Sequence, residues 1–333
     1  MSRIPAFTLP QPADRAEWEA RRVLLRATLM QLMGDLPPLF TPRATVVDSA
    51  SRDGYLLEKI EFANGLDDTV YGYLLVPDQP NGAAVLYCHY HGGRYELGKD
   101  ELFQEVLWEE WGSETPRGVA LAQAGYIVLA IDSYAFGERQ HQGPAGSREG
   151  SRETEHALFK QFLWEGRSLW SMMVYDDWLA LNYLLSHPLV EPDRVAVTGA
   201  SMGGSRATWL AALDERIKIA APVIQYTRYQ NLIASGGLNG HSFYYYVPGV
   251  LHAGLDMEAL TALVAPRPQI ALVGDQDKLS PADGITQIVD FTRAIYALYD
   301  TPDHFEPHVY TGVAHHYTTT MFADLLAFLK KYL

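Results

Sequence analysis

The stretch VAVTGASMGGSRATWLAAL, residues 195–213, changes its period in the middle. Val195, Val197 and Thr198 are β-branched and run into Gly199, as a buried strand does. Beyond Ser201 the residues Ala207, Trp209, Leu210 and Leu213 recur at helical spacing. Ser201 is therefore expected at a strand-to-helix turn, between Gly199 and Gly203 in a G-x-S-x-G string. In such a turn the serine hydroxyl stands clear of the sheet, and a side chain at either glycine would strike neighbouring backbone. The plainer reading is a glycine-rich turn whose serine only caps the helix. The choice rests on whether the rest of the chain supplies what a reactive serine needs.

Working outward, the same rhythm recurs. AAVLYCHY (83–90), YIVLAIDS (126–133), RVAVTGAS (194–201), IKIAAPVI (217–224) and QIALVGDQ (269–276) are short, nearly continuous apolar runs. Helix-patterned segments at 117–125, 153–187 and 281–299 separate them. Strands apolar on both faces and alternating with helices predict a buried parallel sheet. Ahead of them, residues 14–33 carry Trp18, Val23, Leu24, Leu25, Leu29 and Leu32 among charges, an amphipathic helix closed by Gly34 and Pro37-Pro38. TVVDSAS (45–51), YLLEKIEFA (55–63) and VYGYLLVP (70–77) then read as antiparallel hairpin strands with Asp-Gly and Asn-Gly turns. With no repeat, low-complexity tract or linker, residues 1–333 read as one domain with an N-terminal helical and hairpin extension over about 1–80. The stretch from 226 to 251, YTRYQNLIASGGLNGHSFYYYVPGVL, fits neither pattern and reads as a lid-like insertion.

Composition narrows the function. Hydrophobic residues make up 48% and charged residues 20%, ordinary for a globular protein. A net charge of −14 would repel phosphates, so no nucleic-acid partner is expected. Nor is a membrane partner, since no apolar run approaches the roughly 18 residues that span a bilayer. The single cysteine, Cys88, and a start without a signal-peptide pattern point to the cytoplasm. A homo-oligomer is compatible with these features.

A serine hydroxyl attacks a carbonyl only if a base takes its proton and an acid orients that base. On this kind of sheet the order along the chain is serine, acid, histidine. QIALVGDQDKLSP (269–281) offers Asp275 and Asp277 just past a strand, and HVYTGVAHHYTTTM (308–321) offers His315 and His316 before the last helix. The reaction also needs backbone N–H groups aimed at the developing oxyanion. Met202, next after the serine, is one candidate; Gly93, in CHYHGGRYELGKDEL (88–102), is the other. Cys88, His89 and His91 could instead begin a metal site, but no second cluster is spaced to complete one and no H-E-x-x-H occurs. Neither metal nor cofactor is expected.

With those residues in place the chain resembles the α/β-hydrolase superfamily, and within it the dienelactone-hydrolase-like and acetyl-xylan-esterase-like bacterial esterases. The resemblance runs from about Val70 to the end. It is carried by HYHGGRYELGK (89–99), GYIVLAIDSYAFGER (125–139), DRVAVTGASMGG (193–204), HSFYYYVPGVL (241–251), LVAPRPQIALVGDQDKLSP (263–281) and GVAHHYTTTM (312–321). It implies a mostly parallel central sheet with antiparallel N-terminal strands and helices on both faces. It also implies Ser201 as nucleophile, Asp277 rather than Asp275 as the acid, and His315 rather than His316 as the base. True dienelactone hydrolases use a cysteine nucleophile, and here a serine stands in that place.

The expected function is hydrolysis of a small-molecule carboxylic ester through an acyl-enzyme, on short acetyl-like acyl groups and acetylated sugars. The alternatives are a prolyl-oligopeptidase-like serine peptidase and a non-catalytic binding protein on the same fold. Candidate substrate-binding residues are His91, Arg94, Tyr134, His241 and Tyr245. The short-acyl expectation rests on the polar residues interleaved through 226–251, which promise little continuous apolar surface for a hydrocarbon tail.

Overall fold

The computed structural model describes residues 6–66, 68–104 and 116–333. The first helix, α1 (Arg15–Met33), begins where the Asp14 carboxylate accepts the Glu17 N–H and ends at Gly34. It buries Trp18, Leu25, Leu29 and Met33, while Val23 and Leu24 face solvent although they share the apolar spacing. Three antiparallel strands follow: β1 (Thr45–Arg52), β2 (Tyr55–Ala63) and β3 (Thr69–Pro77). The parallel strands are β4 (Ala84–Cys88), β5 (Ile127–Ile131), β6 (Val195–Ala200), β7 (Ile219–Val223), β8 (Gln269–Gly274) and β9 (Phe305–Tyr310). All nine join one sheet in the order β1-β2-β3-β5-β4-β6-β7-β8-β9.

That order explains the apolar runs. Along β4, Ala84, Leu86 and Cys88 enter one core, while Val85 and Tyr87 enter the core on the opposite face. Both faces are covered, so both sets of alternating residues must be apolar. Helices α4 (Leu169–Ser186), α5 (Met202–Leu213), α7 (Met257–Ala262) and α8 (Ala282–Ala297) pack with α1 on one face. On the other face lie α2 (Arg117–Gln123) and α9 (Thr319–Tyr332). The chain places β5 outside β4 and then returns to lay β6 on the other side, so the strand order reverses at β4. In open α/β sheets ligands bind beside such a reversal, at the carboxyl ends of the strands.

One helical segment read from the sequence, 153–187, divides in two. Helix α3 (Arg152–Trp164) stops before Gly166, whose φ of +81° is outside the helical region, and α4 restarts at Leu169 under a Ser168 cap. The break is used: Arg167 forms a β-bridge with Gly34, where a β-carbon would lie 2.1 Å from the Gly166 carbonyl. Residues 226–251 contain a short helix, α6 (Tyr229–Ser235), and a 3-10 turn at Gly237–Gly240.

Candidate active site

Ser201 stands between β6 and α5 with φ +54° and ψ −116°, a conformation that costs a non-glycine residue about 1–3 kcal/mol. The two flanking glycines show why the turn can be this tight. A β-carbon on Gly199 would lie 2.2 Å from the Cys88 carbonyl oxygen, and one on Gly203 only 1.9 Å from it. The end of β4 runs directly past the turn, and only glycine leaves room for it. Met202 is the first residue of α5, so its N–H has no acceptor within the helix and adds to the positive end of the helix dipole.

The acid and the histidine arrive from the far strands. Gly274 ends β8, and a β-carbon there would lie 2.0 Å from the Val313 carbonyl, so the loops after β8 and β9 are pressed together. Asp277 is buried, and its Oδ2 lies 2.7 Å from His315 Nδ1. His315 Nε2 lies 2.9 Å from Ser201 Oγ. With Nδ1–H donating to the carboxylate, Nε2 is left to accept the serine hydroxyl proton. Asp275 has a different role, and it is His315 rather than His316 that bonds to Ser201 Oγ. Asp275 accepts the Gly312 N–H at 2.8 Å and holds the turn, and the backbone N–H of His316 donates to the Ala314 carbonyl.

The loop after β4 differs from its sequence reading at Gly93. Its N–H donates to His91 Nδ1 at 3.0 Å, so it is occupied inside the loop rather than presented as an oxyanion donor. This fixes the His91 tautomer: Nδ1 accepts, and Nε2 donates to Glu155 Oε1 at 3.2 Å. Glu155, an acid in the first turn of α3, is not marked by any motif or periodicity. It is fully buried and also accepts the hydroxyls of Tyr95 and Ser242. Burial pushes its pKa up, but the bonds from His91, Ser242 and Tyr95 outweigh this and hold it below the usual carboxylate value. Glu155 thereby ties the loop after β4 to the 226–251 segment.

His89 is also committed. Its Nε2 accepts the Ser133 N–H at 3.0 Å and its Nδ1 donates to the Tyr90 carbonyl at 2.8 Å, and burial holds it neutral. Cys88 is buried in the strand. Among the described residues no group of three or more His, Cys, Asp or Glu is arranged to hold a metal.

The remaining candidates divide. Tyr134 does not reach the site; its hydroxyl is bound to Asn64 and Asp68 and its ring lies under the Arg139 guanidinium, at 3.8 Å. The loop after β5 turns this candidate substrate-binding residue inward, where it is fully buried. Arg94 is exposed and paired with Glu96. His241 is half-buried, with Nδ1 3.3 Å from the Tyr244 hydroxyl and a buried Nε2 that has no hydrogen-bond partner. Burial lowers its pKa to about 4, assisted by the nearby His315, with Asp277 acting in the opposite sense. Tyr245, at φ +32°, stacks on Tyr229 with centroids 5.5 Å apart and meets the His241 ring edge-on at 5.1 Å.

The 226–251 segment is moored at both sides of this site. Thr227 Oγ1 donates to the Leu279 carbonyl, two residues past Asp277, and Ser242 reaches Glu155 at the other side. Thr227 and Ser242 are spent on these anchors and Arg228 and Gln230 on Glu258 and Asp256, so the inner surface is not the polar lining expected from the sequence. Phe159 and Leu163 of α3, Leu232 and Ile233 of α6, Tyr245 and Val250 line an almost wholly apolar cavity of about 530 Å³.

Among the described helices none is long and apolar enough to cross a membrane. The family model described as "Abhydrolase family" matches residues 4–330. A curated Bacillus subtilis (strain 168) protein, "Putative hydrolase YtaP", is 34% identical over 310 residues, covering 92% of this chain and 98% of its own. A solved structure titled "a putative acetyl xylan esterase", from Bacteroides fragilis NCTC 9343, superposes with a TM-score of 0.70 at 22% identity, over 92% of this chain and 79% of its own. A glucuronoyl esterase from Solibacter usitatus gives a TM-score of 0.71 at 16% identity, over 98% of each chain. Matched over nearly its whole length, and built on the same mostly parallel sheet, this chain belongs to the Abhydrolase family of α/β-hydrolases.

Proposed function

We propose that the protein is a serine carboxylic-ester hydrolase working through an acyl-enzyme. The observation that carries the reading is the unbroken chain from Ser201 Oγ to His315 Nε2 and from His315 Nδ1 to buried Asp277. His315 takes the Ser201 proton as Oγ bonds to the ester carbonyl carbon. The oxygen that becomes negative is met by the Met202 N–H at the head of α5. Asp277 keeps Nδ1 protonated and stabilises the imidazolium. As the tetrahedral intermediate collapses, His315 returns the proton to the departing alcohol oxygen. Water then attacks the acyl-serine by the same route and releases the acid. Each step is completed by the chain's own groups, and no cofactor enters.

A short acyl group fits best. Beside the loop after β4, His91 packs against Tyr95, Phe136 and Tyr244 with ring centroids 5.0, 5.0 and 5.1 Å away, a cluster of rings that favours a small acyl group on that side. The fold neighbours titled acetyl xylan esterase and glucuronoyl esterase support an ester of a carbohydrate or of a compound attached to one. The test is a fluorophosphonate probe followed by peptide mass spectrometry. The adduct is expected on Ser201 and absent from Ser201→Ala. A label on another serine, or none, overturns the reading.

A further inference from the structure

The 530 Å³ apolar cavity under the 226–252 segment is used by no step of the chemistry above. Its size lies within the range of about 300–1,000 Å³ typical of small-molecule sites. It also opens outward: Ile233 and Leu238 on its rim are more than a third exposed, and Leu163 likewise. An apolar surface kept in contact with water is costly unless something covers it.

Its position relative to the reacting groups says which part of a substrate would reach it. Leu238 of the cavity wall sits beside the loop that carries Asp277: a β-carbon on Gly237 would lie 3.5 Å from the Lys278 carbonyl oxygen, one on Gly240 2.9 Å from the Leu279 side chain, and Thr227 Oγ1 donates to the Leu279 carbonyl. The Tyr245 ring meets His241 edge-on at 5.1 Å, and Tyr245 itself lines the cavity. The cavity thus borders the loop of Asp277, the acid bonded to His315. Resting on the serine-hydrolase reading, His315 delivers its proton to the leaving oxygen, so the alcohol portion of the ester must stand on the His315 side of the scissile bond. The acyl portion extends away from it, towards the packed rings around His91.

We infer that this cavity is the subsite for the alcohol portion of the ester, and that this alcohol carries an alkyl or aryl group rather than being a bare sugar. A sugar ring's hydroxyls would find few partners there, because the lining is almost entirely apolar, whereas an alkyl or aryl group loses its hydration and gains close contact. Tyr245 of the wall has a buried hydroxyl without a hydrogen-bond partner, and Nε2 of His241 against its ring is likewise buried and unpartnered, two polar groups left for the atoms joining that group to the ester.

The experiment holds the acyl group constant as acetate and lengthens the alcohol from methyl to hexyl, with a benzyl and a 2-naphthylmethyl ester added. kcat/KM is expected to rise about fourfold per methylene over the first three or four additions, from about 0.8 kcal/mol for each buried CH2. Ile233→Asp puts a charge on the half-exposed rim and should reduce the hexyl-to-methyl ratio to less than about threefold. A second readout needs no turnover. 2-Naphthylmethanol, followed by its fluorescence, should bind Ser201→Ala protein saturably at one site and at least tenfold more weakly when Ile233→Asp is added. A flat alcohol series from an enzyme still labelled at Ser201 overturns the inference and leaves the hydrolase reading standing. Naphthylmethanol binding that ignores Ile233→Asp overturns it too. Loss of the Ser201 label would instead overturn the reading on which it rests.

Discussion

The site is built from two halves by different means. The lower half, at the strand ends, places Ser201, Asp277 and His315 by backbone contact. Gly199 and Gly203 press against the Cys88 carbonyl, and Gly274 against that of Val313, at distances no side chain would survive. The upper half, residues 226–252, is held by side chains: one buried carboxylate, a pair of hydroxyls and a mesh of aromatic rings. A backbone approach tolerates no substitution, whereas a ring or a methyl can be exchanged for another of similar volume. A chemistry that must be kept is therefore placed on the first kind of support, and selectivity that can vary on the second.

That comparison is broken most severely if strand-end substitutions do not stand apart in rate. Ser201→Ala and Asp277→Asn should each lower kcat by about a thousandfold or more with little change in Tm, because the three groups act as a unit. Asp275→Asn and His316→Ala, which leave the hydrogen-bonded chain intact, should cost less than about tenfold. Steady-state kinetics on acetate esters checks both, and equal losses at 275 and 277 would refute the assignment.

A smaller effect is expected beneath the loop after β4. Glu101 is buried, accepting the Tyr87 hydroxyl at 2.7 Å and the Tyr90 N–H at 2.6 Å. Burial pushes its carboxyl up to about 7, partly opposed by those two bonds. Its folded pKa is thus above the ordinary carboxylate value, so the unfolded chain releases this proton first as pH rises. The contribution to stability is complete below about pH 4.5 and is lost by about pH 7, roughly 3 kcal/mol in all. Denaturant melts from pH 4.5 to 8 should show this decline, and Glu101→Gln should flatten it. An unchanged slope in Glu101→Gln would place the proton elsewhere.

The smallest effect belongs to the upper half. Glu155→Gln removes the charge that Ser242, Tyr95 and His91 share, weakening their bonds by about 1–2 kcal/mol in total. KM for a bulky ester should rise several-fold while kcat changes less than about twofold, and Tm should fall by a few degrees. A kcat loss as large as that of Asp277→Asn would show that the upper half takes part in the chemistry itself.

Much of the lower half was legible without coordinates, because its requirements are local. A strand leading into glycine, serine and a helix announces its turn, and the apolar runs 83–90, 126–133 and 269–276 announce strands buried on both faces. Three readings were less well served. The 153–187 helix breaks at Gly166 because Arg167 pairs with Gly34, far away in sequence. Tyr134 is drawn inward by Asn64, Asp68 and Arg139, none of which is its neighbour in the chain. The Gly93 N–H is taken by His91, a contact two residues long whose direction depends on loop geometry rather than on residue type.

By itself, then, the sequence determined the order and character of the strands and the serine turn, since periodicity and glycine placement act over a few residues. It also narrowed the acid and the base to one pair each, Asp275 or Asp277 and His315 or His316. The resemblance implied Asp277 and His315 from those pairs, but only the tertiary structure supplies their contacts, His315 with Asp277 and with Ser201, by bringing residues 38 and 114 positions apart within hydrogen-bonding distance. Tertiary structure also decided what the 226–252 segment presents. Thr227, Ser242, Arg228 and Gln230 are taken up by Leu279, Glu155, Glu258 and Asp256, and apolar residues turn inward to line a cavity. Hydrogen-bond partners and burial are properties of the packed chain, and composition read along a segment does not show which of its faces will be satisfied and which left to enclose space.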